Sequence, residues 1–510
     1  MNLCKLTGDN VIELLNKKIY CYEYCPGYMK DLAERFEIDN IEAVIDENSR
    51  NWGRHTIRES RIIVYGHDYL SMIDLDTAVF LIISDYFWES FDKLAKILES
   101  VGYDRDIYYY ESYETETEMR YRNLYKHCNL ENLILFRSGP HASAYIKGMD
   151  FADNARALFE YMIDNHMNER YKLVWMVKNP DDYSRYDAIA NIEFLSFDWS
   201  VSENMEERDH YYQVLCLAKY IFFTDAYGFA RNCRKDQIRV QLWHGCGFKT
   251  RVNFARCENR YEYTTVISEV YSKIHQNIYG LREDQILITG YAKQDWLFHP
   301  IENFTERLTL PEGKKYIFWL PTFRMAKDGL ENLNEYEMWN QTGLPIVDTV
   351  DKCRELNDLL KEREAVLLVK LHPFQDRQKI ADIQLSNMIL IDNGILLKED
   401  IQINQILGYS DALISDYSSV AVDYMLLDKP IAFTLEDMEE YKSSRGFVFE
   451  NITDWLPGKE LYTYTDFCEF ICEMADGVDS AEEKRRRLIA KMHKYHDGQN
   501  CRRIVAELGI

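Results

Sequence analysis

Twice in succession this chain alternates apolar runs of strand length with helical stretches, a pattern that leaves few folds open. The first series places strands at 132–136, 172–177, 192–197, 220–224, 238–243 and 286–289, with a helix over 152–164. The second places them at 315–320, 366–371, 388–391, 412–415 and 430–433. Strands separated by helices pair in parallel, so two such series predict two α/β lobes with a cleft between them. A smaller series precedes them, with strands at 18–22, 41–45, 61–65, 78–84 and 106–110. An amphipathic helix over 88–99 and a stop at Gly102 complete a Rossmann-like N-terminal module. The acidic, tyrosine-rich stretch 108–118 reads as a linker, giving expected domains 1–118, 119–300 and 301–510. Terminal helices over 481–495 and 499–508 are expected to cap the fold and cross back over the cleft.

Composition narrows what such a chain does. With 510 residues, 46% hydrophobic and only 22 Gly and 10 Pro, it has apolar material for several cores. Its 12 cysteines include no Cys-x-x-Cys pair. Cys21/Cys25 and Cys468/Cys472 lack partners at zinc-site spacing, so neither a metal nor a cofactor is expected. Residues 1–5 show no secretory apolar core, and the expectation is a cytoplasmic protein with reduced thiols. No apolar run is long enough to span a bilayer; the candidate at 78–84 is closed by Asp85.

A net charge of −25 disfavours nucleic acid as a partner. Any polyanionic ligand must therefore enter through a locally basic cleft. One basic segment, 231–260, carries Arg234, Arg239, Lys249 and Arg256, among others. In the other, Lys484, Arg487, Lys491 and Lys494 repeat at helical spacing, which suits peripheral docking on anionic lipid or polymer and equally a plain solvated face.

After the first strand of the N-terminal module, a dinucleotide fingerprint requires Gly-x-Gly-x-x-Gly. Tyr22, Tyr24 and Gly27 stand there instead. Two tyrosines block both the tight turn and the approach of a pyrophosphate, so this module is expected not to hold NAD. Asp46, at the position of a ribose-binding acid, is as readily a turn residue.

Three polar motifs fall at strand ends, where open α/β sheets bind ligands. The first is Gln241-Leu242-Trp243-His244-Gly245-Cys246-Gly247-Phe248-Lys249, a histidine beside glycines and a cation. A buried structural histidine in a glycine turn is the competing reading. The second is Lys370-Leu371-His372-Pro373, whose proline ends the strand and leaves His372 at the rim. The third, Ser415-Asp416-Tyr417-Ser418-Ser419, leads into an apolar helix over 420–427. Its serines serve as a plain N-cap or as part of an anion site.

With these motifs in this order, the chain resembles the CDP-glycerol glycerophosphotransferase family, which builds teichoic-acid-like and capsular polymers. Leu320-Pro321-Thr322-Phe323-Arg324, Thr289-Gly290-Tyr291 with Asp295, Arg445-Gly446-Phe447, and His496-Asp497-Gly498 carry the same resemblance. It runs from about residue 132 to the C-terminus and leaves the N-terminal module outside. It implies a GT-B fold: two Rossmann-like lobes, the C-terminal one holding the nucleotide donor and the N-terminal one the acceptor. The implied reaction is attack by a hydroxyl of a cell-wall or capsule polymer, lipid-linked or glycan, on the polyol-bearing phosphorus of CDP-glycerol or CDP-ribitol, with CMP leaving.

On this resemblance His244 is the general base and His372 contacts or assists the leaving diphosphate. Thr322, Arg324, Pro373, Ser415, Asp416, Ser418 and Ser419 bind nucleotide and phosphate, while Gly245, Lys249 and Arg445 serve the acceptor side. Neither a Walker A loop nor a carboxylate pair for two metals is evident, so a metal-free mechanism is expected. The sequence Cys246-Gly247-Phe248 departs from the family's usual Thr-Pro-Leu and leaves acceptor and polyol open. Cys246 as a nucleophile is disfavoured, since direct transfer needs no covalent step. Two rivals remain: a GT-B glycosyltransferase using a nucleotide sugar, and a non-catalytic nucleotide-binding scaffold.

Overall fold

The computed structural model describes residues 1–510 except 9, 24–28, 30–31, 33–35, 37, 39, 48–51, 54–61, 85–86, 111–115, 139–148, 225–233, 250–260, 322–339, 371–382, 384 and 445. The chain divides into one unit built mainly on residues 1–127 and a second built mainly on 128–510.

The first unit is a parallel sheet of β1 (Leu3–Lys5), β2 (Lys18–Tyr22), β3 (Ile41–Ile45), β4 (Ile63–Tyr65), β5 (Ala78–Ile82) and β6 (Ile107–Tyr109). Their order is β1-β6-β5-β2-β3-β4. Helix α1 (Phe87–Ser100) buries Leu94 and Leu98 with Phe80 and Tyr103, and ends where Gly102 takes φ 85°. At the ends of the expected linker, Tyr108 and Tyr109 belong to β6, held by burial of Ile107, and a further helix begins at Glu116, while residues 111–115 lie outside the described residues. Tyr22 is fully buried, with its hydroxyl 3.1 Å from His67 Nε2. Its side chain thus fills the position a dinucleotide fingerprint reserves for glycine; Tyr24 and Gly27 lie outside the described residues.

The second unit carries two parallel sheets. One contains β7 (Glu131–Arg137), β8 (Lys172–Val177), β9 (Ile192–Ser196), β10 (Ala218–Phe223), β11 (Ile238–Gln241), β12 (Tyr263–Val266) and β13 (Ile286–Ile288). They are ordered β13-β12-β11-β10-β7-β8-β9. The other contains β14 (Lys315–Trp319), β15 (Ala365–Lys370), β16 (Met388–Ile391), β17 (Ala412–Ser415), β18 (Ile431–Thr434) and β19 (Lys459–Leu461), ordered β16-β15-β14-β17-β18-β19. Strands buried on both faces favour parallel pairing under helices. Accordingly β8 is apolar throughout after its first residue, and Val366 to Val369 in β15 are all fully buried.

The N-lobe core is aromatic. Phe136 stacks on Trp175 at 5.5 Å and Phe151 meets the same indole edge-on at 4.7 Å, backed by helix α2 (Asp153–Asp164). The C-lobe core is chiefly aliphatic, centred on Ile317, Leu367 and Ile414. In its sheet the chain runs outward from β14 through β15 to β16, then restarts on the other side at β17. The carboxyl ends of β14 and β17 therefore flank the switch point where such sheets receive ligands. There Ser415 Oγ donates to the Leu320 carbonyl at 3.2 Å, and the chain enters helix α3 (Ser419–Tyr424). The helix expected over 420–427 starts at Ser419 and tightens into a 3₁₀ turn at Met425–Leu427.

The last segment passes from one lobe to the other. Helix α4 (Glu482–Met492) is fixed to the C-lobe by Arg485, only 1% exposed, whose guanidinium pairs with Asp428 at 3.0 Å and Asp479 at 2.7 Å. His493 Nε2 donates to the Val422 carbonyl of the C-lobe at 2.8 Å, and the next amide, Lys494 N, donates to Ile267 of the N-lobe at 2.9 Å. Helix α5 (Asn500–Glu507) then inserts Cys501, Ile504 and Val505 into the aromatic N-lobe core.

Candidate active site

The site starts where β11 stops. The strand expected over 238–243 ends at Gln241, because the buried Gln241 side chain accepts the Trp243 amide at 3.0 Å and Trp243 turns left-handed at φ 53°. The carbonyls of Leu242 and Trp243 are both taken by Asn154 Nδ2, at 3.0 and 2.8 Å, from the first turn of α2. Asn154 is fully buried, so the turn before His244 rests on a rigid amide rather than on solvent.

His244 itself is one-third exposed. Its Nδ1 lies 3.5 Å from Asp153 Oδ2, while Lys293 Nζ pairs with the other Asp153 oxygen at 2.9 Å and also donates to the His244 carbonyl. Lys293 is placed by the turn after β13, where its amide donates to Asn154 Oδ1 at 3.1 Å. From the C-lobe, Asp423 reaches within 3.9 Å of Lys293 and accepts from Gln294 Nε2 at 2.7 Å.

These charges tune one another. Burial alone raises the Asp153 carboxyl, but Lys293 and His244 outweigh it and hold the group below the usual carboxylate range. Burial depresses the Lys293 ammonium, yet Asp153 and Asp423 carry it above its ordinary value. Asp423 is pushed up to about 6 by burial, which Lys293 only partly offsets. The cluster therefore holds a fixed cation between two carboxylates directly beneath the histidine turn.

Across the seam, the turn after His244 meets the start of α3. A Cβ on Gly245, which adopts φ 153°, would stand 2.9 Å from Ser419 Oγ and 3.1 Å from Ser419 Cβ. Ser418 caps α3 by accepting the Val420 amide at 3.4 Å, and both serines are half-buried at the surface of the crevice. Ser415 and Asp416 lie below them, fully buried. Beside this contact, Lys249 forms an antiparallel bridge with Phe447, Val448 N donates to the Phe248 carbonyl at 2.8 Å, and the Lys249 ammonium sits 5.6 Å over the Tyr441 ring.

The structure thus sets the turn carrying His244 and Gly245 against Ser419, with Ser418 capping α3, Lys249 bridged to Phe447, and Ser415 and Asp416 buried at the end of β17. Thr322, Arg324, His372, Pro373 and Arg445 lie outside the described residues. β15 ends at Lys370, whose ammonium burial lowers to about 8 against the opposing pull of Asp392. Cys246 is 2% exposed, its sulfur 3.0 Å from Tyr291 OH and 3.7 Å from His275 Nε2, so the thiol faces the protein interior. In the basic segment 231–260, Arg234 and Arg239 are engaged by Asp236 and Glu262.

Sequence reasoning missed Asp153, Asn154 and Lys293. Their only signal is Lys293's place inside the Tyr291-to-Asp295 motif. That motif is itself partly structural: Asp295 accepts the amides of Asn500 and Cys501 at 2.8 Å each and so caps α5.

The family described as CDP-Glycerol:Poly(glycerophosphate) glycerophosphotransferase matches residues 121–508. Teichoic acid ribitol-phosphate polymerase TarL of Staphylococcus aureus (strain NCTC 8325 / PS 47) is 27% identical over 312 residues, covering 57% of this chain and 51% of TarL. Teichoic acid glycerol-phosphate primase of Bacillus subtilis (strain 168) is 28% identical over 290 residues, covering 54% of this chain and 68% of the primase. The chain thus spans about half the length of TarL. The solved structure of the wall teichoic acid polymerase TagF superposes with a TM-score of 0.54 at 21% identity, covering 83% of this chain and 97% of TagF, and shares the two-lobed GT-B fold. With most of its length inside the family's match, the chain belongs to the CDP-glycerol:poly(glycerophosphate) glycerophosphotransferase family.

Proposed function

We propose that this protein transfers a polyol phosphate, glycerol phosphate or ribitol phosphate, from a CDP-polyol to a hydroxyl of a cell-wall or capsule polymer, releasing CMP. The observation that carries the reading is the meeting of the turn that follows His244, at Gly245, with Ser419 at the start of α3. There a glycine allows the two turns to approach to within a side chain's width. An imidazole near neutrality suits removal of a hydroxyl proton, a contribution of about 10²–10⁴-fold. Amides at the start of α3 and the serine hydroxyls suit a diphosphate.

In the proposed step the acceptor oxygen forms a bond to the polyol-bearing phosphorus as the phosphorus–oxygen bond to CMP breaks. The acceptor proton passes to His244. His372, Arg324, Thr322 and Pro373 are assigned to the donor side, with Ser415 and Asp416 beneath it. Lys249, Arg445 and Gly245 are assigned to the acceptor side. The N-lobe carries the acceptor and the C-lobe the donor. A lipid-linked acceptor would place the protein on the cytoplasmic face of the membrane, where the outward positions Arg487, Lys491 and Lys494 offer contact.

A donor panel tests this. Nucleotide release is measured with CDP-glycerol, CDP-ribitol and several UDP-sugars, for the wild type and for His244→Ala. The expected result is CMP from at least one CDP-polyol and loss of turnover by about 10²-fold or more in the variant, with donor binding nearly unchanged. Turnover of a UDP-sugar alone would instead establish the glycosyltransferase reading, and binding without release the scaffold reading.

A further inference from the structure

We infer that Asp153 is the positioning residue for His244, fixing its ring and the side on which its proton is held. The inference rests on the reading of His244 as a base and adds a residue to which no role has been attached.

Three observations converge. Asp153 is the first residue of α2 and takes a left-handed φ of 63°, a conformation L-residues seldom adopt and Asp tolerates better than most. That conformation is held by the Asp153 amide donating to Gln402 Oε1 at 3.3 Å and by Asn154 behind it. It aims one carboxylate oxygen at His244 Nδ1 and the other at Lys293. Finally, Lys293 also holds the His244 carbonyl, so backbone and ring are located by one ion pair. The oxygen that meets Lys293 also accepts the Asn154 amide at 2.9 Å, which fixes the carboxylate while its other oxygen faces the ring.

The chemistry follows from which nitrogen is engaged. With Nδ1–H directed to Asp153, the neutral ring carries its lone pair on Nε2, at the opposite edge. The acceptor hydroxyl's proton goes to Nε2, and the imidazolium that results faces a fixed carboxylate. Asp153 takes no proton itself, since Lys293 keeps it ionised. Among the described residues, the charged groups around the ring are Asp153 on α2, Lys293 after β13, and Asp423 on α3, with Cys246 and His275 behind the turn.

The test uses the full chain. Ring nitrogens are observed by NMR in [¹⁵N]histidine-labelled protein, His244 being assigned by its absence from His244→Gln. We expect the Nδ1–H tautomer in the wild type at high pH; an Nε2–H tautomer would overturn the inference. In Asp153→Asn, which keeps the shape and tolerates positive φ, kcat should fall by about 10²-fold while donor affinity changes less than about threefold. The acid limb of the rate profile should move to lower pH, because the imidazolium has lost its counter-charge and Lys293 remains. Wild-type kcat and an unmoved acid limb in Asp153→Asn, beside an inactive His244→Ala, would sink the positioning role and leave the base assignment standing. Full turnover by His244→Ala would sink the base assignment, and the inference with it.

Discussion

Gly245 stands where the histidine turn meets the start of α3, and both its backbone, at φ 153°, and its neighbour call for glycine. Ser419 Cβ lies where a methyl group on residue 245 would press at 3.1 Å. The serine cannot retreat freely, because it begins α3 and Ser418 caps that helix. Gly245→Ala should therefore push the histidine turn and the helix start apart by a fraction of an ångström. Misplacement on that scale costs up to about 10²-fold in rate, and the strained φ with the close contact costs about 1–3 kcal/mol of stability. Steady-state kinetics with a thermal melt should show kcat falling at least tenfold and the melting temperature dropping by only roughly a few degrees. His244 and the serine pair were legible in the sequence because glycine, a histidine and a serine run at strand ends are local signals. Asp153 was not, because nothing in its own neighbourhood marks it: it faces His244 only once α2 and β11 are packed.

Among the elements, the crossing segment between α4 and α5 gives the clearest pH dependence. Burial pushes the His493 imidazole down to about 4, and its N–H is committed to Val422. The unfolded imidazole titrates near 6.5, so below that pH the unfolded state binds a proton the folded state refuses. Stability should fall as pH drops from about 6.5 towards 4, by at most about 3 kcal/mol from this group. Asp423 acts in the opposite direction over part of the range, since its raised carboxyl gains a proton in the fold near 6. Comparison with His493→Gln isolates the histidine: the wild type should lose more melting temperature than the variant between pH 7 and pH 4.5. An equal loss in both would refute the assignment.

Strands with an unbroken apolar run, such as β2, β8 and β16, were readable at their observed limits. β1, β12 and β19, of three or four residues, were not. β12 carries Thr264 and Thr265 in its centre, both fully buried, so burial there leaves no apolar trace in the sequence.

For the whole molecule, charge decides what it approaches. The chain carries −25 overall, and the basic stretch near its end is largely consumed internally. Lys484 pairs with Glu460 at 3.3 Å, Arg486 with Asp428 at 2.7 Å and Lys494 with Glu269 at 3.2 Å. Among the described residues no ion pair engages Arg487 or Lys491. A basic residue near an anionic surface contributes about 1 kcal/mol, so two or three support only weak docking against long-range repulsion. Co-sedimentation with phosphatidylserine vesicles should be detectable at low salt, vanish near 0.5 M salt, which shortens the screening length to about 4 Å, and drop further in Arg487→Glu/Lys491→Glu. No binding at low salt would remove the lipid contact from the reading. Helical spacing disclosed a basic face, but the carboxylates that neutralise it come from distant parts of the sequence.

The way α5 completes the N-lobe has a consequence for synthesis. Asn500 Nδ2 donates to the carbonyl of Tyr291, 209 positions earlier, and Cys501, Ile504 and Val505 fill an aromatic interior assembled from residues translated long before. A ribosome therefore emits the first lobe unfinished and must deliver the entire second lobe before the missing wedge arrives. Until then the nascent lobe has an open apolar wound, which makes it a client for holding chaperones during elongation.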